Sequence, residues 1–343
     1  MFLNGIKVGL DIGGHSVKCA VFDSKKRMVK GLWEAPISLV KHSINDVMSE
    51  EGCYERVAVL IRSGQLGSFI GKNKIYTAIQ RCGTVSRYLE LPSFTKGYTD
   101  SETRMALLSQ ASKLIPFPID DVVLSYFKVP AILPDNKNNT FFFVAVQKDL
   151  LRRQTELLNK LDIKLERIET SAIALAREIS FNRDLEKGRF TAIVHSGFNI
   201  TTVLVVRDGY PYFVKEFSLA GKDFTYLFQM YQQSSWQDAE QSKIEYDTLD
   251  CKSFVEPGIV KWLNEIKNAL FYFTKELSGS IKVEQIFLSG GTAQWKHLDE
   301  RVGKYLEIPV KVNGFYNLRC EKNDLHCNNW LKCKVAAGLV LDR

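Results

Sequence analysis

Asp11, Gly13, Gly14, His15, Ser16 and Lys18 fall in one short stretch, and each is a residue type that can handle phosphate or a cation. Adjacent glycines let the main chain approach a ligand where a Cβ would collide, so successive N–H groups can converge on anionic oxygens. Asp11 offers a hard carboxylate of the kind that holds hydrated magnesium, and Lys18 adds a mobile point charge. This pattern suits the holding of a phosphorylated ligand. An ordinary β-hairpin with a glycine turn has the same residues, and the stretch alone leaves both readings open.

The elements around it must hold that turn still. Residues 6–12, 16–22 and 27–33 read as three successive strands, with a charged turn at Ser24–Arg27. Residues 191–195, 201–206 and 212–217 repeat the order: strand, glycine-bearing turn, strand, charged turn, strand. Two echoing halves facing one cleft are expected. Between them, Ser43–Glu50 reads as a short helix, Arg56–Ile61 as a buried strand and Ser63–Gly71 as a glycine-bearing loop. The pattern then restarts as strand Val85–Leu91, helix Ser101–Ile115, strands Val122–Val129 and Thr140–Gln147, helix Asp149–Leu161 and strand Lys164–Ile168. Thr99 or Asp100 caps the first of these helices, Pro116–Pro118 stops it, and Asp149 caps the second. A β-α-β-β-α-β order is the ferredoxin-like pattern. The expected division is therefore 1–84 as the first subdomain, 85–168 as an inserted ferredoxin-like subdomain, and 169–343 as the second half. Within that half, about 232–280 forms a small polar and helical part. Helices are expected at Ala220–Tyr231, Gln237–Ile244, Pro257–Ser278, Thr292–Leu306 and Leu331–Leu341, and strands at Val283–Leu288 and Pro309–Val312.

Composition bounds the function. With 45% hydrophobic and 25% charged residues over 343 positions, the chain has the material for more than one packed core. A net charge of +7 is spread rather than blocked, so nucleic-acid binding has no support beyond mild basicity. Seven scattered cysteines, an odd number, fit a reducing compartment. Cys320, His326, Cys327 and Cys333 lack the paired spacing of a zinc site. The chain enters its first strand directly and has no apolar run of membrane-spanning length, so neither a signal peptide nor direct membrane insertion is expected.

Three glycine turns stand in the order of the actin-like ATPase (ribonuclease H-like) fold. Asp11–Lys18 resembles its first phosphate loop, Gly197–Thr201 sits where the second belongs, and Leu288–Thr292 (LSGGT) resembles its adenosine turn. DIGGHSVKCAVF, SRYLELPSF at Ser86–Phe94 and KLIPFPIDDVVLSY at Lys113–Tyr126 resemble the PilM family, the cytoplasmic actin-like components of type IV pilus assembly. So do residues 288–312 and the AAGLVL ending at Ala336–Leu341. The IPFP turn at Ile115–Pro118 is the most specific element. GspL-type cytoplasmic domains of type II secretion are similar but continue into a transmembrane helix, whereas this sequence ends at Arg343.

The resemblance implies an inner-membrane platform protein, peripheral at the cytoplasmic side, that binds the short N-terminal peptide of a bitopic PilN-like partner. It also implies other platform components as partners and leaves a homo-oligomeric form open. Phe94, Ile115, Phe117 and Val122 would lie near the peptide groove. ATP would be held by Gly13, Gly14, His15, Ser16, Lys18, Gly197, Asn199, Thr201, Gly290, Gly291 and Thr292, with Asp11 holding Mg2+ through water. Lys222 would lie on the ribose side or on the surface. One position departs from the pattern: His195 stands where the family places an acid before the second turn. Losing a buried charge partner costs about 2–5 kcal/mol of binding, so binding of ATP and Mg2+ is expected to be weakened and hydrolysis weak or lost. Two alternatives share the first turn. A sugar-type kinase needs a catalytic aspartate and a substrate loop, neither of which is apparent. An FtsA-type divisome protein ends in an amphipathic membrane helix, unlike the small-residue ending here.

Overall fold

Apolar side chains on one face of the first strand and on both faces of the second build the first layer. Ile6–Ile12 (β1), Ser16–Asp23 (β2) and Met28–Pro36 (β3) form an antiparallel meander. In the computed structural model, which describes residues 5–36, 58, 67, 69–70, 73–79, 83–92, 99–132, 138–183, 185–250, 253–276, 281–314, 317, 319–320 and 330–341, both faces of this meander are covered. Val17, Cys19 and Val21 enter one core and Ala20 and Phe22 the opposite one, as a period of two demands. Ile75–Ile79 (β4) extends the sheet in parallel. Val8 and Leu10 pack with Ile70 and with residues 158 and 163 on the outer face.

The second half repeats the plan. Phe190–Ser196 (β9), Thr201–Arg207 (β10) and Tyr210–Phe217 (β11) form the second meander, extended in parallel by Val283–Ser289 (β12) and Val310–Val312 (β13). The two sheets run β14-β3-β2-β1-β4-β8 and β11-β10-β9-β12-β13, where β8 is Leu165–Thr170 and β14 is Arg319–Cys320. Between them lie helices Ser171–Asn182 and Lys334–Val340. Ala336 and Ala337 pack on the first sheet, while Ala174, Leu175, Val335 and Leu339 meet Ile193, Leu204 and Phe287 of the second. Small residues set the spacing: a Cβ on Gly338 would overlap the Ala174 carbonyl.

Thr84–Leu91 (β5), Val122–Lys128 (β6) and Asn139–Gln147 (β7) make a separate three-stranded sheet in the order β5-β7-β6. Adjacent Phe142 and Phe143 are both fully buried but point to different cores. Phe143 meets Ala111, Ile115 and Val122 beside helix Asp100–Ala111 (α1), and Phe142 joins the core of the second half. The join is pinned by Arg207, which donates to the Ile132 carbonyl at 2.8 Å and the Ala131 carbonyl at 2.5 Å, and by the Tyr212 hydroxyl donating to the Pro130 carbonyl at 2.9 Å.

Several expectations change. The fourth strand expected of the ferredoxin-like unit leaves that sheet: β8 pairs in parallel with β4 instead. The exposed edge of β4 carries backbone groups that need partners, and local alternation cannot say which edge a strand joins. Helix α1 ends at Ala111, ahead of the prolines, and its start is a capping box between Thr99 and Glu102. Asp149 does not cap helix Lys148–Asn159 (α2). Gln147 occupies that position, and Asp149 pairs with Arg152 and Arg153, each at 2.7 Å. The helix expected over 292–306 is interrupted. A 3-10 turn at Gly291–Gln294 is followed by left-handed His297 (φ 55°) and helix Leu298–Leu306, because Trp295 is drawn into the core. Ser43–Glu50 lies outside the described residues. Of Arg56–Ile61 only Ala58 is described, and it is helical, as are Gly67, Phe69 and Ile70 within the expected loop.

Candidate functional site

The two meanders present the same hairpin to one cleft. In the first, the Gly13 N–H donates to the Ser16 carbonyl at 3.1 Å, and in the second the Gly197 N–H donates to the Ile200 carbonyl at 3.0 Å. Asp11 is paired across its hairpin with Lys18, and His195 is paired across the other with Thr202. His195 therefore occupies the position in the second hairpin that Asp11 occupies in the first. The echo extends to side-chain register.

Between the hairpins lies a cavity of about 740 Å³, lined by Asp11, Gly13, Gly14, His15, Ser16, Lys18, Gly197, Asn199, Gly290, Gly291 and Thr292 among others. The structure thus brings together the sequence-identified positions, with one exception. Thr201 is fully buried and does not line the cavity: its Oγ1 donates to the Leu219 carbonyl at 2.8 Å and accepts from Trp262 Nε1 at 3.1 Å. It anchors the hairpin instead. Lys222 also stays off the cavity wall.

Asp11 is 2% exposed, and burial pushes its carboxyl above the usual range against the pull of Lys18, whose Nζ lies 3.9 Å away. Ser16 Oγ donates to Glu34 Oε1 at 2.6 Å, and Lys332 Nζ lies 3.4 Å from Glu34 Oε2. Burial pushes the Glu34 carboxyl up, but Ser16, Lys332 and Lys18 together hold it below its ordinary value. Across the cleft, His195 Nδ1 lies 3.0 Å from Ser289 Oγ, and burial lowers the imidazole to about 3, with Lys18 and Lys334 adding to the shift. His195 is neutral at physiological pH. The His15 ring lies 5.4 Å from the Phe198 ring, and a Cβ on Gly14 would overlap the Asn199 amide, so the tips of the two hairpins touch.

The third turn crosses beneath. Gly290 takes φ 88°, and a Cβ there would overlap the Ser196 carbonyl. Thr292 Oγ1 is buried on the cavity wall with no hydrogen-bond partner among the described residues. A buried hydroxyl left unpaired costs about 1–3 kcal/mol, which a ligand in the cavity would relieve.

Sequence reasoning missed two walls. One is helix Trp236–Glu245, where buried Lys243 donates to Glu240 Oε2 at 2.7 Å and to Thr225 Oγ1 at 2.8 Å. A Glu three residues before a Lys in a polar helix looks like a solvated pair, so no local signal marked it. The other is α2, which contributes Leu150, Arg153, Gln154 and Leu157, with Lys160 just past its end. Glu216 on β11 also reaches the cavity. Burial raises its carboxyl, against a hydrogen bond from Thr202 at 3.2 Å.

The residues expected near the groove sit in different surroundings. Ile115 and Val122, at 6% and 7% exposure, belong to the small core under α1. Two positions bracketing a proline-bounded turn are where that core closes. Phe117 is half-buried against it, Leu114 and Met105 are exposed nearby in sequence, and Phe94 lies outside the described residues.

Residues 9–343 match the family described as type IV pilus assembly protein PilM. Among solved structures, a PilM-PilN type IV pilus biogenesis complex is similar at TM-score 0.76 and 18% identity, covering 97% of this chain and 97% of that one. The ethanolamine utilization protein EutJ from Carboxydothermus hydrogenoformans matches at 0.54 and 14%, covering 99% and 92%. MreB 5 of Spiroplasma citri bound to AMPPNP matches at 0.51 and 12%, covering 98% and 95%. The fold these structures share is the actin-like one. No helix among the described residues is long and apolar enough to cross a membrane.

Proposed function

This chain belongs to the type IV pilus assembly protein PilM family, and from that premise we propose that it is a scaffold of the pilus or a related secretion platform. It is held at the cytoplasmic face of the inner membrane by protein partners. Its main partner is the N-terminal peptide of a PilN-like bitopic protein, bound beside the three-stranded insert. Similarity over nearly the whole length of a PilM that was solved with PilN supports this reading.

The cavity suits a nucleotide. Its volume of about 740 Å³ suits a drug-sized or cofactor-sized ligand, its loops are built for close backbone approach, and Thr292 Oγ1 lacks a partner. Gly13, Gly14, His15, Ser16 and Lys18 would take the outer phosphates, Gly197 and Asn199 would face them, and Gly290, Gly291 and Thr292 would pass under the adenosine. Magnesium fits less well. The second hairpin offers an imidazole where an oxygen donor is needed, which leaves Asp11 as the carboxylate at a hairpin strand end. Position 195 offers an imidazole in place of a carboxylate, and the cavity acids Glu216 and Glu240 already accept from Thr202 and from Thr225 and Lys243, so the cleft binds without turning over. The histidine at the position echoing Asp11 carries this conclusion.

Titration of the full chain with a synthetic N-terminal peptide of a PilN-like partner tests the scaffold reading. Saturable one-to-one binding is expected, weakened about tenfold by Phe117→Ser, which is about 1.4 kcal/mol. Absence of binding by the folded wild type would contradict it.

A further inference from the structure

We propose that the cleft binds its nucleotide without a divalent cation, the charge of the phosphates being met by the protein's own amines. The inference rests on the nucleotide reading above and concerns how that same cavity compensates charge.

A polyphosphate brings several negative charges into a cavity with partly apolar walls, and something positive must meet them. Magnesium does this when carboxylate oxygens hold it beside the phosphates. Here the carboxylates that line the cavity already have partners: Glu216 accepts from Thr202 at 3.2 Å and Glu240 from Lys243 at 2.7 Å. Glu34 is held by the Ser16 hydroxyl at 2.6 Å and by Lys332 at 3.4 Å. Asp11 has Lys18 at 3.9 Å. The position that echoes Asp11 is His195, whose Nδ1 is committed to Ser289 Oγ at 3.0 Å. An imidazole is a poor ligand for a hard cation.

The amines on the same walls are well placed for the opposite role. Lys18 and Lys332 both sit beside the first hairpin, and each is attached to a carboxylate that a phosphate oxygen can partly replace. Lys160 lines the cavity from just past the end of α2. A cation bound between the hairpins would have to share the space with Lys18 and Lys332, at a cost in repulsion that a phosphate does not incur. A histidine rather than a carboxylate at the position echoing Asp11 thus suits the cleft to the nucleotide anion itself.

The test is calorimetric titration of the full chain with ATP in excess EDTA and, separately, in millimolar magnesium chloride, with His195→Asp and Lys332→Met beside the wild type. For the wild type the dissociation constants in the two buffers should agree within about threefold, and Lys332→Met should weaken binding about tenfold in both. His195→Asp restores a second carboxylate and should make binding at least about tenfold tighter with magnesium than with EDTA. Thermal unfolding of each variant, taken without ligand, separates lost binding from lost fold. Wild-type binding that appears only with magnesium would overturn the inference while leaving the nucleotide reading intact. No heat and no ligand-induced thermal shift in either buffer would instead overturn the nucleotide reading, and the inference with it.

Discussion

His195 carries a pH signature. Its imidazole titrates near 6.5 when exposed and is lowered to about 3 by burial in the folded chain. Between those values the unfolded chain holds a proton that the native one excludes, so stability falls as pH drops through this window, by about 1.4 kcal/mol per unit. Urea unfolding from pH 7 to 4 should show that slope, and His195→Asn should lose it. A second buried group makes a sharper demand. Lys334 and Glu178 are both fully buried, with Nζ 2.9 Å from Oε1, and Asn313 Nδ2 donates to the other carboxylate oxygen at 2.9 Å. Glu178→Ala leaves a buried ammonium unpaired and should cost about 3–5 kcal/mol in chemical denaturation, whereas pairing it with Lys334→Met should recover much of the loss. The motif residues were legible because glycine turns and strand ends have local grammar. The Lys243–Glu240 and Lys334–Glu178 pairs were not, because a charged residue in a helix reads as solvated until its neighbours are known. Thr201 illustrates the reverse: a motif position whose side chain the tertiary structure turns inward.

At the scale of elements, the hairpin echo was readable from spacing alone, since two strand–turn–strand units of matched length place Asp11 and His195 at equivalent ends. The partner of β8 was not readable. Alternation gives a strand's faces and says nothing about which edge it joins, so a strand expected in the small sheet is found beside β4. The helix pair between the sheets makes a different test. Lys334–Val340 and Ser171–Asn182 approach so closely at Gly338 and Ala174 that any side chain must push them apart. Gly338→Val should lower stability by about 1–3 kcal/mol or more, because overpacking a tight contact displaces backbone. A thermal scan showing an unchanged midpoint would mean that the two helices are less closely packed than described.

In the whole molecule, the insert and the cleft share parts. Helix α2 lines the cavity and follows directly on β7, the central strand of the three-stranded sheet. The insert's other face is buried in the core of the second half through Phe142 and Arg207. A ligand that moves α2 therefore moves the root of the surface proposed to hold the peptide. Linkage makes the effect reciprocal: whatever factor ATP imposes on peptide affinity, peptide imposes on ATP affinity. Titrating each in saturating amounts of the other should return one factor from both directions. The central claim is that this actin-like protein is a platform part whose cleft binds and does not turn over. Steady-state phosphate release from ATP in magnesium, with and without the partner peptide, tests it most directly. No release above the uncatalysed background is predicted under either condition, and sustained multiple turnovers by the wild type would contradict the account.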